Sequence, residues 1–279
     1  MRICKHSFRT LRITTLLTVL FSTSYLWAQT EDAKGNDVVT NAQMLSFGST
    51  NVLDTYLAPV NYTGAEIRYI SHTTRQTPGS HYSRQLVHQG YVADVEDHSG
   101  KGSEISGLYD FSFAIHYNWS FLNDRLRVQV GGQMETGIGV INNTRNSNNP
   151  AQLRLFANIA PSVVTTYRFQ LFKKRLSARY ELSVPLAGLM FSPNYGQSYY
   201  EIFSRGNYDH NCVLTTLANA PSLRHALTLD MSLWGTTFRI GYLGDYQQAK
   251  VNHLKQHNYT HGLMIGFVRK FSIVKVEDH

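Results

Sequence analysis

The chain has 279 residues, of which 26 are lysine or arginine and 19 are aspartate or glutamate, so its formal net charge is +7. The basic residues are spread along the chain and usually alternate with acids, whereas nucleic-acid binding needs clustered lysine and arginine, so no nucleic-acid partner is expected. Beyond the N-terminal segment no apolar run reaches the roughly 18 residues of a membrane-spanning helix, which excludes a helical membrane protein. Any membrane crossing must therefore be made by strands.

The N-terminal segment predicts a cleaved secretory signal peptide over residues 1–28. It contains basic residues and no acid, then an apolar stretch that ends at Trp27, then the small residue Ala28. A single-span anchor is the alternative, but the stretch contains several Ser and Thr and is short for that purpose. Cleavage would leave 22 basic residues against 19 acidic ones, a formal net charge of +3. It would also remove Cys4 and leave Cys212 alone, so no intramolecular disulfide is expected.

Alternation of apolar and polar residues predicts β-strands along the rest of the chain. Weak alternation comes first, through Ala65, Ile67 and Tyr69, and then through Val87, Tyr91, Ala93 and Val95. Strict alternation follows in segments 109–117, 126–140, 153–163, 176–186, 223–233, 238–246 and 263–267. In the segment 126–140 the apolar residues share one parity, while Arg127, Gln129, Gln133 and Glu135 share the other. Such segments are about as long as strands that cross a bilayer, so their repetition predicts a membrane barrel.

The connections between these segments alternate between short and long, as an up-and-down barrel requires. Short ones are predicted at 121–125, 170–174 and 234–235, and long external loops at 97–103, 142–151, 192–220 and 250–258. Aromatic residues flank the short turns and predict a girdle at one membrane interface: Tyr117, Trp119, Tyr167, Phe169, Trp234 and Phe238. With a first strand near 44–48, the fold class is an all-β, antiparallel transmembrane barrel of ten strands, with eight or twelve as alternatives. The domains are a short flexible segment 29–41, a barrel 42–271 and a tail 272–279.

A two-residue hairpin loop at Trp234 and Gly235 would set the register of the strands on either side of it. The residue numbers of each opposed pair would then sum to 469, which places Asp230 opposite Arg239 and Arg224 opposite Asp245. Both pairs have opposite charges and both lie on the inward parity. One register therefore explains two favourable ion pairs.

Around Asn123 a register sum of about 245 would place Asp110 beside Glu135. Two inward carboxylates repel each other unless an arginine intervenes or one stays protonated, and Arg154 or Arg179 is the expected partner. Such a pair can serve as an acid and a base, but a structural charge network is the commoner arrangement. The predicted lumen network consists of Asp110, Glu135, Arg154, Arg179, Glu181, Arg224, Asp230, Arg239 and Asp245.

The longest predicted external loop, 192–220, is the candidate ligand-binding region because aromatic side chains there can anchor a glycan or a peptide. The expected ligand-binding residues are Tyr195, Tyr199, Tyr200, Phe203 and Tyr208. Asp209 and His210 in the same loop form an acid and histidine pair of the kind a rim hydrolase would use. A solvated loop is the favoured interpretation, and no catalytic residue is assigned.

Three histidines recur at a spacing of four residues, at His253, His257 and His261. That spacing would align ligands on one helical face, but the segment is predicted to be a loop and the start of a strand. No HExxH motif accompanies the histidines. No metal site and no cofactor are therefore predicted.

Several short stretches resemble a family of uncharacterised proteins from Bacteroidales-type bacteria that carries a domain of unknown function. They are LDTYLAP at 53–59, NTRN at 143–146 with NNP at 148–150, and MFSP at 190–193 with YGQSYYEIF at 195–203. The resemblance covers about residues 47–271. It implies an outer-membrane barrel of a Gram-negative bacterium, with outer-membrane lipid and the barrel-assembly machinery as partners, and it assigns no catalytic residue.

The expected protein is an outer-membrane barrel whose lumen is filled by polar side chains, because ten strands are too few for the aqueous channel of larger porins. Its role is expected to be structural or surface ligand-binding through the external loops. A lipid or peptide hydrolase at the rim, a narrow passive pore and a soluble periplasmic barrel are the alternatives. Leu126 is expected near the periplasm, Val140 near the outside and Glu135 in the lumen.

Overall fold

The computed structural model describes residues 37–145, 150–171, 173–233 and 235–273. The predicted signal peptide and residues 274–279 of the predicted tail lie outside the described residues. The elements in chain order are β1 (Asp37–Asp54), β2 (Ala58–Gln76), β3 (Tyr82–Asp97), β4 (Ser103–Phe121), β5 (Leu126–Asn143), β6 (Ala151–Leu171), β7 (Lys174–Ser183), β8 (Ala187–Phe191), α1 (Tyr199–Phe203), β9 (Cys212–Thr216), β10 (Leu223–Leu233), β11 (Thr236–Val251) and β12 (Leu254–Ile273). Among the described residues no helix has the length and apolar character needed to cross a membrane.

Ten of the strands form a closed antiparallel ring. Neighbours in sequence pair from β1 to β7, β7 pairs with β10, and β10, β11 and β12 continue the sheet until β12 returns to β1. Pairing around the ring satisfies the backbone hydrogen bonds of a barrel in lipid, while β9 lies at a free edge of the sheet at the loop end of the wall. The predicted ten-stranded barrel is confirmed.

The first strand is longer than the sequence indicated. It begins at Asp37 instead of near residue 44, and it pairs with β12 on one side and β2 on the other. Residues 37–41, assigned to the flexible N-terminal segment, are therefore part of the wall. At the other end of the chain, β12 continues to Ile273, two residues past the predicted barrel limit at 271.

One end of the barrel carries short turns, as predicted. Phe121 pairs with Leu126, Leu171 with Lys174, and Leu233 with Thr236, and residues 77–81 make a fourth connection at this end. The opposite end, which we call the loop end, carries the long connection 192–211 and the connection 98–102, but also a three-residue connection at 55–57. The predicted loop over 250–258 is wrong, because Val251 pairs with Leu254 across a two-residue turn. Asn252 and His253 in that turn both have left-handed backbones, with φ of 49° and 62°.

The outer surface of the barrel has an apolar band. Met134 is 62% exposed and points outward between the inward-facing Gln133 and Glu135, and Leu263 on β12 is 71% exposed. Toward the loop end the outer face becomes polar, with Ser49, Asn61 and Thr63 exposed. The parity predicted for 126–140 is thus observed, with Glu135 buried inside the barrel.

The third strand reverses the expected parity. Tyr91, Ala93 and Val95, which form the apolar set of β3, point inward and are at most 5% exposed, whereas Val92 is on the outside. They join Val52 and other inward residues in an apolar cluster near the loop end. This part of the interior is packed like a protein core, so the polar-inside rule does not hold there.

An additional hairpin extends the wall at the loop end. β7 ends at Ser183, and β8 continues along the same neighbour by pairing Ala187 with Ile159 of β6. β9 then pairs with β8, and the chain returns to the ring at β10. The segment between β9 and β10 contacts β11 through a hydrogen bond from the Lys250 amide to the Asn219 carbonyl, 2.7 Å. Residues 192–211, between β8 and β9, form the largest connection at this end.

Candidate functional site

Arg224 of β10 lies at the centre of a charge network inside the barrel. Its Nη2 donates to Asp110 Oδ2 at 2.7 Å, and its Nη1 lies 2.7 Å from Glu135 Oε1. The same Nη2 lies 3.3 Å from Asp245 Oδ2. One guanidinium therefore connects three carboxylates on β4, β5 and β11. Because these carboxylates are almost completely buried, they depend on this cation for compensation.

Arg68 of β2 extends the network to the other side of the lumen. Its Nη1 donates to Asp245 Oδ2 at 2.7 Å and its Nε donates to Glu66 Oε1 at 2.8 Å, with the arginine side chain only 1% exposed. Thr260 of β12 donates its hydroxyl to the second oxygen of Glu66 at 2.7 Å. The network thus connects six strands of the ring, and paired charges cross the middle of the lumen.

Further ion pairs lie toward the short-turn end. Arg179 donates to Glu181 at 2.6 Å, and His72 Nε2 lies 3.4 Å from the other oxygen of the same carboxylate. Arg239 makes a bidentate contact with Asp230, with distances of 2.6 and 2.8 Å. Planar arginine and carboxylate groups suit this paired geometry.

The predicted register of 469 is confirmed. β10 and β11 place Asp230 opposite Arg239 and Arg224 opposite Asp245. Trp234 itself lies outside the described residues, and Gly235 in the same turn has a φ of 79°.

The register predicted around Asn123 is wrong by two residues. Asp110 pairs with Gly137, and Glu135 pairs with Ser112, because four residues, 122–125, separate the two strands. The carboxylates still share an arginine, but it is Arg224 and neither of the expected partners. Arg154 donates to the Tyr91 hydroxyl at 3.1 Å and to Gln247 at 3.0 Å, and Arg179 binds Glu181.

Sequence reasoning missed two buried acidic residues at the loop end. Asp54 is 2% exposed and Glu104 is fully buried, and one oxygen of each carboxylate has no hydrogen-bond partner in the described structure. The other Asp54 oxygen accepts from the Tyr56 amide at 3.0 Å, and the other Glu104 oxygen accepts from Asn143 at 3.0 Å. Glu66 and Arg68 were missed as well. Their alternation with the apolar residues Ala65, Ile67 and Tyr69 indicates polar side chains that point into the lumen.

The connection 192–211 is held in one conformation by its own polar side chains. Ser198 and Glu201 form a reciprocal capping box at the start of α1, and this contact keeps the pKa of Glu201 below its usual range. The Gln197 amide donates to the Asn207 carbonyl at 3.0 Å, and Asn211 donates to Gln197 at 2.7 Å. Asn252 of the neighbouring turn donates to the His210 carbonyl at 2.9 Å. Asn252 also donates to the Ser192 carbonyl at 3.1 Å, so this turn connects both ends of the segment to the barrel.

Tyr199, one of the predicted ligand-binding residues, anchors this segment to the barrel wall through its hydroxyl group. Its hydroxyl accepts from the Leu153 amide at 2.7 Å and donates to Gln152 at 2.8 Å, and its ring packs edge-on against Tyr56. Tyr56 in turn donates to the Gln197 carbonyl at 3.0 Å. Burial raises the pKa of Tyr56 to about 12, with the charges of Asp54 and Glu201 adding to the effect, so the phenol stays a donor.

The other four predicted aromatic residues of this segment are exposed. Their exposed fractions run from 57% to 76%, and together we call them the aromatic cap: Tyr195, Tyr200, Phe203 and Tyr208. Phe203 stacks on the anchored Tyr199 with ring centroids 5.9 Å apart. The guanidinium of Arg205 lies 5.4 Å from the centre of the Tyr200 ring. The cap therefore presents apolar rings and a cation on a braced segment.

The two candidate acid and base pairs lie in different surroundings. Asp209 and His210 are 2.6 Å apart, but their side chains are 73% and 79% exposed on the surface. Asp110 and Glu135 are enclosed and bound to Arg224. Glu135 lines a small cavity of about 70 Å³ together with Arg154 and Arg224, whereas the Asp209 and His210 side chains are exposed to solvent.

The histidines of the 253–261 segment do not converge. His257 contacts Asn51 at 2.6 Å and stacks on Tyr259, whereas His261 contacts the Tyr242 hydroxyl at 2.5 Å. Among the described residues no group of three His, Cys, Asp or Glu side chains is placed to hold a metal ion.

A closed ten-stranded ring with an apolar outer band and a charge-filled interior defines the class of outer-membrane-type β-barrels. The chain belongs to the family described as "Protein of unknown function (DUF3316)", whose model matches residues 11–278. The resemblance to a family with a domain of unknown function is thereby confirmed. A comparison with curated proteins gives no match.

Several solved outer-membrane structures are similar to this chain. The outer membrane protease OmpT from Escherichia coli is 8% identical with a TM-score of 0.46, covering 90% of this chain and 100% of that one. The transport unit of the autotransporter AIDA-I from Escherichia coli is 6% identical with a TM-score of 0.41, covering 89% and 95%. The translocator domain of NalP from Neisseria meningitidis is 10% identical with a TM-score of 0.35, covering 94% and 96%.

Proposed function

We propose that the protein is a non-conducting barrel of the outer membrane of a Gram-negative, Bacteroidales-type bacterium that binds a ligand outside the cell through the aromatic cap. In this proposal residues 1–28 direct export, the barrel-assembly machinery inserts the strands, and outer-membrane lipid surrounds the apolar band. The short turns face the periplasm and the loop end faces outward, as is usual for such barrels.

The non-conducting part of the proposal is supported by the paired charges of the lumen. Arg224 and Arg68 bind carboxylates from several strands, and the apolar cluster containing Val52 and Val95 lies nearer the loop end. Side chains fill small barrels in this way, and a continuous water path would require these pairs to separate. The lumen therefore acts as a rigid support for the loop end.

The ligand-binding part depends on one observation, which is that the aromatic cap is exposed although its segment is rigidly braced. Exposed aromatic rings on a structured segment are typical of recognition surfaces, because tyrosine provides contact area at little entropic cost. The ring of Phe203 is stacked in place by Tyr199, and Tyr200 lies beside Arg205. Such rings suit the flat faces of sugars, with a peptide as the second class of ligand.

A binding screen with immobilised glycans and peptides tests this proposal on the full chain in non-ionic detergent. We expect binding that the double substitution Tyr200→Ala and Phe203→Ala weakens by at least about tenfold, as for the central residues of an interface. Tyr82→Ala is the matched control, because Tyr82 is 59% exposed at the short-turn end. A ligand lost equally in the control variant, or retained fully without both rings, would contradict the proposal.

A further inference from the structure

A large open vestibule lies inside the barrel at the short-turn end. Its volume is about 1140 Å³, and its lining has a strong excess of positive charge. One acid, Asp230, faces seven basic residues, which are Arg125, Arg127, Arg168, Arg175, Arg179, Arg239 and Lys270. Hydroxyl groups contribute to the lining as well, among them Thr40, Thr74, Ser177 and Ser232.

Two of these cations form salt bridges with described residues, and the other five form none with the part of the chain that the structure describes. Arg239 binds Asp230, and Arg179 binds Glu181 at the inner end. The salt bridges formed by described residues include none of Arg125, Arg127, Arg168, Arg175 and Lys270. Arg127 donates to the neutral amide of Gln76, and Arg168 donates to the backbone carbonyl of Asp124 at 3.4 Å. The one acid of this turn, Asp124, is exposed at the rim.

The strand register brings these cations together. Arg127 occupies the same inward parity of β5 as Gln129 and Glu135, and Arg175 shares the inward parity of β7 with Arg179. Arg168 of β6 pairs with Ser177, between Arg175 and Arg179 of the neighbouring strand. A cluster of like charges in a concave surface is unfavourable unless an anion compensates it, and such a surface attracts anions strongly.

We propose that this vestibule binds a multivalent, phosphate-bearing anion. Arginine forks match phosphate oxygens in paired hydrogen bonds, and charge-assisted bonds of this kind are about twice as strong as neutral ones. The volume accommodates several phosphate groups together with their water. The site is at the opposite end of the barrel from the aromatic cap, so it does not depend on the ligand proposed there.

Inorganic tripolyphosphate is a suitable probe, titrated calorimetrically into the full chain in non-ionic detergent at low salt. We expect saturable binding that weakens as salt is added and that Arg127→Gln with Arg175→Gln weakens by at least about tenfold, since each lost charge-assisted bond has an effect of that order. The matched control is Lys101→Gln with Arg145→Gln, which removes two charges at the loop end. This control is expected to stay within about twofold of the parent protein, because surface charges there are screened from the vestibule.

A lipid headgroup could supply the same phosphate chemistry, so a second titration is made in lipid nanodiscs with and without phosphatidylglycerol. If phosphatidylglycerol leaves the affinity for tripolyphosphate unchanged, the natural ligand is a soluble anion. If phosphatidylglycerol competes with tripolyphosphate and this competition requires Arg127 and Arg175, the ligand is a lipid headgroup. Both results support the site. Heat-dependent migration on gels verifies that each variant is folded. Equal binding by the folded Arg127 and Arg175 variant, or equal loss in the loop-end control, overturns the proposal.

Discussion

Replacing Arg224 with Met is expected to destabilise the barrel by about 3–5 kcal/mol, the usual cost of removing one partner from a buried ion pair. The substitution preserves most of the side-chain volume but removes the cation that binds Asp110 and Glu135. Asp245 also loses its contact with Arg224 and keeps its contact with Arg68. Carboxylates that remain charged in the lumen repel each other, and protonating them costs free energy. The measurement is urea unfolding of the barrel from lipid vesicles, followed by tryptophan fluorescence.

A control and a rescue separate this charge effect from the loss of packing. Arg154→Met removes an arginine that forms no salt bridge among the described residues, donates to the uncharged Tyr91 and Gln247, and acts on the carboxylate of Asp54 only at longer range, so a smaller cost of about 1–2 kcal/mol is expected. Adding Asp110→Asn and Glu135→Gln to the Arg224 variant should restore part of its stability. If Arg224→Met costs no more than Arg154→Met, the charge network does not stabilise the barrel.

Replacing Met134 with Arg is expected to cost about 2–4 kcal/mol in a bilayer, because the charge would lie in the lipid-facing band. Met134 is 62% exposed on the outer face of β5, between the inward residues Gln133 and Glu135. If Met134 faced water instead of lipid, its replacement by Arg would have little effect on the free energy of unfolding. Unfolding from vesicles therefore reports whether the apolar band is in contact with lipid.

The control for this substitution is Asn61→Arg, because Asn61 is exposed on β2 where the outer face has become polar. We expect a change of less than about 0.5 kcal/mol at that position, as for most surface substitutions. If Met134→Arg lowers the free energy of unfolding as little as Asn61→Arg does, the band faces water, as in a soluble periplasmic barrel.

Local patterns in the sequence predicted most of the wall. The two-residue turn before Thr236 leaves a single register, so the Asp230–Arg239 and Arg224–Asp245 pairs followed from counting alone. The alternation of apolar and polar residues also predicted which side chains point inward, wherever the lumen is polar. It failed in β3, where Tyr91, Ala93 and Val95 face an apolar core inside the barrel, because alternation identifies two faces without showing which one points inward.

The interior contacts were harder to predict because they join residues that are far apart in sequence. Arg224 reaches Asp110 and Glu135 across the lumen, and pairing between neighbouring strands contains no information about that contact. The turn at Asn252 and His253 was missed for a different reason. Its two left-handed residues are not the Asn-Gly or Asp-Gly pair that marks such turns most clearly.

The location and direction of the barrel are tested most directly by labelling Cys212 on intact cells with a membrane-impermeant maleimide. Cys212 is exposed at the start of β9, at the loop end, and it is the one cysteine left after removal of the predicted signal peptide. The control variant carries Cys212→Ser and Asp124→Cys, which moves the thiol to the short-turn end. We predict that intact cells label Cys212 and that the control labels only after the outer membrane is permeabilised. Labelling of the control alone on intact cells, or of neither before permeabilisation, would contradict an outer-membrane barrel whose loop end faces outward.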